Sequence, residues 1–151
     1  MSIFKSQINP NSEEFLHNRA GMLKLIEKTQ QLEARTRQAS ARAKPRFAKR
    51  KQLMPHERVA RLLDPGAPFL EIGNMTGYLR DVHDPEKTLP GANLIAGIGF
   101  INGVRCMIVA NDSSINAGAI SEATGQKLSR CQDVALQQKL PFVFLVESAG
   151  A

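Results

Sequence analysis

The pair Asn102-Gly103 stands between two apolar, partly β-branched runs, Leu94 to Ile101 and Val104 to Ala110. Both residues tolerate the positive φ angles of a two-residue turn, and such a turn matches the natural twist of paired strands. We therefore predict a β-hairpin over residues 94–110. Because the turn fixes the register of two neighbouring strands, it constrains the rest of the fold more than any other feature of the sequence.

A helix and an apolar strand are predicted after this hairpin. Apolar residues recur at helical spacing between Ser121 and Lys139, and Pro141 prevents the helix from continuing. The run from Phe142 to Val146 is apolar at every position, which is typical of a buried strand. A helix that joins two strands of one sheet implies a right-handed crossover, so the core is predicted to be α/β. The apolar helix positions are Leu128, Cys131, Val134 and Ala135.

Helices are predicted to precede this core. Asn11, followed three residues later by Glu14, resembles a capping box at the start of a long helix. That helix leads into residues 34–51, rich in Ala, Arg and Lys, which we interpret as a surface helix or a mobile connection. Pro55 at a first helical position and the stop signal at residues 64–66 delimit a second, short helix.

A short strand and a long loop are predicted between the second helix and the hairpin. Phe69 to Ile72 has the pattern of a strand, and residues 80–91 are rich in Asp and Pro, as loops are. We divide the chain into a helical segment with a basic connection, residues 1–52, and the start of a larger domain, residues 53–151.

The composition argues against several classes of protein. No apolar run is long enough to cross a membrane, and the N-terminus lacks the pattern of a secretory signal. Cys106 and Cys131 lie in apolar periodic segments, so buried free thiols are expected rather than a disulfide or a metal site. These features favour a cytoplasmic protein.

The basic residues are concentrated in one part of the chain. The net charge is +6, and residues 35–61 contain ten basic residues against the single acid Glu57. Such a stretch suits the phosphates of a small ligand, a partner subunit or solvent as well as it suits RNA. Phe47 is its one aromatic residue, which leaves little for base stacking. We therefore expect no nucleic-acid partner.

Two loops of small and polar residues follow predicted strands, where ligands of α/β sheets usually bind. The first covers residues 111–119 and the second covers residues 147–151. Small side chains allow backbone N–H groups to approach a developing oxyanion. Taken alone, this composition is more typical of tight turns between packed elements than of a ligand site.

Longer motifs resemble one enzyme family. The run from Arg50 to Glu71, RKQLMPHERVARLLDPGAPFLE, resembles the opening signature of carboxyltransferase subunits of biotin-dependent acyl-CoA carboxylases. IAGIG at residues 95–99, CMIVAND at 106–112 and VESAGA at 146–151 resemble later motifs of that family in the same order. The greatest similarity is to the beta subunits of methylcrotonyl-CoA and geranyl-CoA carboxylases.

The resemblance implies a crotonase-like (ClpP/crotonase) spiral α/β fold, preceded by N-terminal helices. The chain would be an N-terminal fragment holding an incomplete first domain, inactive alone, of a subunit that forms hexamers. In the family, one domain binds acyl-CoA and a second receives carboxybiotin from a carrier on the alpha subunit. In that mechanism, carboxybiotin releases carbon dioxide, and the resulting biotin anion takes the acidic proton of the acyl-CoA. The thioester enolate that this leaves then attacks the carbon dioxide. No metal is implied for this part.

The resemblance also assigns site residues. The backbone N–H groups of Gly150 and Ala151 would form one part of an oxyanion hole. Glu147 stands where the family has Asp, and Ala117 and Ala149 stand where it has Gly, so a positive φ there would be strained. The residues implied to line the acyl-CoA site are Asn111, Asp112, Ser113, Ser114, Ala117, Gly118, Ser148 and Ala149.

Other interpretations compete with this one. Ser148 lacks the glycine that precedes the serine of a nucleophile elbow, so a serine nucleophile is not predicted. If the protein were a biotin-independent crotonase-type hydratase or decarboxylase, Glu147 would be its general base. Lys127 and Arg130, one turn apart, suit either CoA phosphates or a solvated helix face. An RNA-binding or assembly module is a third alternative. His17, His56 and His83 lack the spacing of metal ligands.

Overall fold

The structure, a computed structural model, describes residues 5–150 and divides into two compact units, residues 1–32 and 33–151. Its helices are α1 (Glu13–Ala41), α2 (Lys44–Lys49), α3 (Pro55–Leu62) and α4 (Glu122–Gln137). Its strands are β1 (Leu70–Glu71), β2 (Leu94–Ile101), β3 (Val104–Asn111) and β4 (Phe142–Leu145). The domain boundary at residue 53 stays a prediction.

The predicted hairpin is confirmed. β2 and β3 pair in antiparallel register from Leu94 opposite Asn111 to Ile101 opposite Val104. Asn102 and Gly103 adopt φ angles of 50° and 75°, as the two-residue turn requires. The Asp64 carboxylate accepts hydrogen bonds from both turn N–H groups, at 2.6 and 2.7 Å.

The helix and strand after the hairpin are also confirmed, with one correction. The strands lie in the order β1-β2-β3-β4, and β4 pairs with β3 in parallel, as a helical crossover requires. However, β4 was predicted to be buried and is half-buried along its length. The reason is its place at the edge of the described sheet, where no further strand covers its outer side.

Apolar residues cover both faces of the hairpin. On one face, Met107 and Val109 pack with Cys131 and Ala135 of α4. On the other face, the residues that alternate with these along the strands, among them Ile108 and Ala110, pack against Val59 of α3. This alternation follows the two-residue period of a strand. Cys106 and Cys131 are buried free thiols, as predicted.

The N-terminal helices differ in detail from their sequence interpretation. α1 begins at Glu13, and its cap is Ser12 rather than Asn11, because Ser12 Oγ accepts the Phe15 N–H at 3.2 Å. The basic stretch is helical as far as Ala41 and again in α2. α3 has the predicted bounds, with Pro55 at its start. None of the helices in residues 5–150 has the length and apolar character needed to cross a membrane.

The last turns of α1 hold the long loop between β1 and β2. Arg35 donates to the Pro85 carbonyl oxygen, and Thr36 Oγ1 accepts the Gly91 N–H at 2.9 Å. Arg37 forms an ion pair with Glu71 at the edge of the sheet. These contacts place the C-terminal part of α1 beside the loop between β1 and β2.

Candidate functional site

Two loops of small residues lie against each other at the ends of neighbouring strands. The loop after β3 (residues 112–121) is bound to the loop after β4 (residues 146–150) by backbone hydrogen bonds. Ala149 N–H donates to the Ala117 carbonyl oxygen at 3.1 Å, and Ile120 N–H donates to that of Gly150 at 2.9 Å. The sequence predicted both loops, and the structure brings them together into one site.

Glycine is needed where the loops approach most closely. A Cβ atom at Gly118 would overlap the carbonyl oxygen of Glu147, and Gly118 also has a φ of +71°. The neighbouring Ala117 has a φ of 51°, so the strain expected at this position is present. Ala149 is not among the residues with positive φ, so no such strain arises there.

The cavity at this junction has a volume of about 420 Å³. Four residues expected at the site line it, namely Ser113, Ala117, Ser148 and Ala149. The remaining lining residues are Arg46, Phe47, Arg50, Gln52 and Glu147. Arg46, Phe47, Arg50 and Gln52 were not identified individually from the sequence, although the basic stretch to which they belong was considered as a CoA contact.

The two arginines of the cavity differ in their surroundings. Arg46 Nη2 donates to the carbonyl oxygens of Ser113 and Ser114, at 3.5 and 3.3 Å. Its guanidinium also lies 5.5 Å from the centre of the Phe47 ring, which anchors α2 in the core. Arg50 is exposed and belongs to none of the ion pairs among residues 5–150. Arg50 therefore has a guanidinium available to an anion.

Asn111 and Asp112 lie beneath the loops and do not line this cavity. Asn111 is fully buried; its Oδ1 accepts the Glu147 N–H at 3.2 Å and its Nδ2 donates to the Gly118 carbonyl oxygen at 3.2 Å. Asp112, also buried, accepts hydrogen bonds from the hydroxyl groups of Ser40 and Ser114. The structure therefore gives both side chains a role in holding the loops.

Glu147 forms an ion pair with Arg58 of α3. The distance from Arg58 Nη1 to Glu147 Oε2 is 2.6 Å, and both side chains are about one-third exposed. The Arg58 guanidinium is thus committed to this carboxylate. The pair was not predicted, because its members lie 89 residues apart.

The predicted oxyanion donors are only partly within the described residues. Ala151 lies outside them. The Gly150 N–H donates to Ser148 Oγ at 3.1 Å, and Gly150 has a φ of +124°. A ligand oxygen at this N–H would therefore replace the Ser148 hydroxyl.

The predicted position of Lys127 on an exposed or ligand-binding face is wrong. This residue was interpreted as a CoA contact or part of a solvated face, but it is buried, and its ammonium donates to the carbonyl oxygens of Gly91 and Leu94. Burial lowers its pKa from 10.5 to about 8. Arg130 is exposed. Within residues 5–150, no three His, Cys, Asp or Glu side chains cluster as metal ligands would.

The sequence matches the family model described as "Carboxyl transferase domain" over residues 47–151. The biotin-dependent 3-methylcrotonyl-coenzyme A carboxylase beta1 subunit of Mycobacterium tuberculosis is 46% identical over 110 residues, 73% of this chain and 20% of that protein. The mitochondrial methylcrotonoyl-CoA carboxylase beta chain of Arabidopsis thaliana is 34% identical, over all of this chain and 25% of its own.

A solved structure is similar over nearly the whole chain. The beta subunit of geranyl-CoA carboxylase from P. aeruginosa superposes with a TM-score of 0.88 at 44% identity, covering 98% of this chain and 27% of that one. The chain thus spans about a quarter of the length of these relatives. The predicted crotonase-like α/β fold is confirmed by this similarity.

Proposed function

Since the chain belongs to the carboxyl transferase domain family, we propose that it forms the acyl-CoA-binding part of a subunit that moves carboxylate from carboxybiotin to an acyl-CoA. Carboxybiotin would be delivered by a carrier on a partner subunit, and the whole subunit would act as a homo-oligomer, as in the family that the sequence resembles. In this proposal, acyl-CoA is the ligand of the cavity between the two loops.

The observation that carries this proposal is the composition of the cavity. Arg50 lines the same cavity of about 420 Å³ as the small residues Ser148 and Ala149. Acyl-CoA has both features that such a cavity would recognise, a phosphate-bearing nucleotide and a thioester whose oxygen gains negative charge in the enolate. Guanidinium groups bind phosphates, and backbone N–H groups stabilise oxyanions.

The chemistry that these residues supply is positioning and charge stabilisation. When the thioester oxygen takes the place of Ser148 Oγ at the Gly150 N–H, that N–H donates to the enolate oxygen as negative charge develops. The neighbouring Ala149 N–H stays bound to Ala117 and keeps the loop in place. We assign no residue among 5–150 to biotin, so all of these steps belong to the acyl-CoA side of the reaction.

The alternative functions receive less support from the same geometry. A hydratase-type general base needs a free carboxylate, whereas that of Glu147 is paired with Arg58. An RNA-binding surface needs free basic groups, whereas four arginines of the basic stretch bind groups of the protein itself. These are Arg35, Arg37, Arg46 and Arg58.

The proposed ligand is tested by comparing CoA with pantetheine, which lacks the nucleotide. We expect Arg50→Ala to weaken CoA binding about tenfold, the effect of losing one hydrogen bond between charged groups, and to leave pantetheine binding unchanged. Lys49→Ala is the matched control, since Lys49 is exposed on α2 but does not line the cavity. Calorimetric titration measures the six affinities, those of the parent and of the two variants for each ligand. Failure of the parent chain to bind CoA would refute the proposal.

The proposed reaction is tested in a protein that contains this chain together with its biotin-carrying partner. We expect transfer of labelled carboxylate to 3-methylcrotonyl-CoA or a related acyl-CoA. Hydration or decarboxylation of the acyl-CoA without biotin would instead support the alternative enzyme.

A further inference from the structure

Glu147 is held at three points, although it lies outside the sheet. Its N–H donates to Asn111 Oδ1, its carbonyl oxygen lies in the space left by the missing side chain of Gly118, and its carboxylate is paired with Arg58. β4 has already ended at Leu145, and Val146 is 63% exposed. No strand pairing therefore fixes the chain where it enters the loop.

Arg58 is attached to a rigid part of the fold. The next residue, Val59, is 3% exposed and packs against the hairpin. The start of α3 is closed by Glu57, whose Oε2 accepts the Met54 N–H at 2.9 Å. The ion pair thus connects the loop after β4 to a helix fixed on the opposite side of the sheet from α4.

We propose that Arg58 is a positioning residue that acts through Glu147 to hold the loop 147–150 in the orientation that receives the thioester oxygen. This proposal rests on the proposed function, because the thioester is the ligand assigned to that loop. Arg58 does not line the cavity, so it would act without touching the ligand. Loss of Arg58 would therefore weaken recognition of the acyl thioester more than recognition of the CoA nucleotide.

Recognition of the thioester and recognition of the nucleotide should respond differently, because different parts of the chain would bind them. The nucleotide would be bound by Arg50 of the α2 segment, which does not depend on the loop after β4. The thioester oxygen needs the Gly150 N–H at hydrogen-bond distance, and a small displacement of a donor removes most of its effect. Breaking a charge-assisted hydrogen bond of this kind favours opening of the loop about tenfold or more.

The test compares 3-methylcrotonyl-CoA with free CoA as ligands of the parent chain and of Arg58→Met. We expect the variant to lose about tenfold of its preference for the thioester, while its affinity for free CoA stays within about twofold. Arg58→Lys, which keeps the charge, should recover part of the preference. Arg61→Met is the matched control, since Arg61 is exposed on the same helix and in none of the ion pairs of the described residues.

Amide hydrogen exchange gives a second measurement that does not depend on any ligand. In Arg58→Met, exchange of the Ala149 and Gly150 amides should accelerate about tenfold, while the amides of β2 and β3 stay protected. If Arg58→Met does not fold, Glu147→Gln, which removes the charge but keeps the shape, replaces it in the exchange measurement, where the contribution of Glu147 to the cavity lining plays no part.

The outcomes separate this proposal from the proposed function. Unchanged exchange in the loop, or an unchanged thioester preference, would overturn the role of Arg58 even if the parent chain binds CoA. A parent chain that binds neither ligand would refute the proposed function. In that case, the exchange measurement would still decide whether Arg58 holds the loop.

Discussion

Burial of Lys127 links the stability of the fold to pH. Its pKa is lowered from 10.5 to about 8 by burial, so the folded state releases this proton more readily than the unfolded state does. Between pH 8 and 10.5 the unfolded state therefore binds more protons, and the contribution of Lys127 to stability rises with pH. A pKa shift of this size changes the free energy of unfolding by about 3 kcal/mol between pH 8 and pH 10.5.

We expect this contribution to disappear in Lys127→Met. The free energy of unfolding of the parent relative to Lys127→Met should increase by about 3 kcal/mol from pH 8 to pH 10.5, measured by urea denaturation. Both proteins should carry Cys131→Ala, because burial raises the pKa of this thiol while the charge of Lys127 lowers it, so that Cys131 would otherwise give the two proteins different opposing slopes.

Gln132→Met in the same background provides the control for this measurement, because Gln132 is exposed on the same helix and has no charge to gain or lose. Its pH profile should run parallel to that of the parent. A parent and a Lys127→Met variant with parallel profiles would show that the buried ammonium keeps its ordinary pKa.

At the scale of elements, the turn between β2 and β3 depends on a carboxylate from outside the hairpin. Asp64 follows α3 and accepts both N–H groups of the turn, so it joins the end of the helix to the hairpin. We expect Asp64→Ala to lower the free energy of unfolding by about 1 to 2 kcal/mol, since two hydrogen bonds to a charged group are lost at a partly exposed site. Thermal or urea denaturation measures this loss.

The matched control is Asp133→Ala, which removes an exposed carboxylate from α4 that belongs to no ion pair of the described residues. It should leave stability nearly unchanged or raise it slightly, because Ala favours helices more than Asp does. Equal effects of the two substitutions would mean that Asp64 does not support the turn.

Elements that depend on local chemistry were predicted well from the sequence. The hairpin depends on Asn102-Gly103 and α3 on Pro55, and both have the expected bounds. β1 is shorter than the predicted strand from Phe69 to Ile72, and the Phe69 ring occupies the space that side chains at Gly97 and Gly99 would otherwise fill. The burial of Lys127 was not predictable, since lysine is rarely buried and its partners are carbonyl groups distant in sequence.

At the scale of the whole molecule, the candidate site was predictable in part. The small-residue loops were identified because their composition and family motifs are local, and five of their residues line the cavity. Arg46 lies in α2 and Arg50 directly follows that helix, and Arg58 meets Glu147 only after folding. Such contacts depend on tertiary structure and leave no periodic pattern in the sequence.

The distribution of charge leads to a prediction about nucleic acids. Residues 35–61 hold ten of the 20 basic residues, and a free basic surface of that size would bind RNA through many phosphates. Because several of these arginines pair with carboxylates or carbonyl groups of the chain itself, fewer are available. Nonspecific affinity at about 0.15 M salt should therefore be no tighter than about 10 μM.

Fluorescence anisotropy with a labelled single-stranded RNA measures this affinity, and CoA titrated under the same conditions provides the comparison. We expect CoA to saturate its site without displacing the weakly bound RNA, because CoA binds in the cavity whereas RNA would meet exposed basic side chains. Submicromolar RNA binding at that salt concentration, with steep loss at higher salt, would instead support the RNA-binding alternative. The basic stretch would then have a second role beside the one at the cavity.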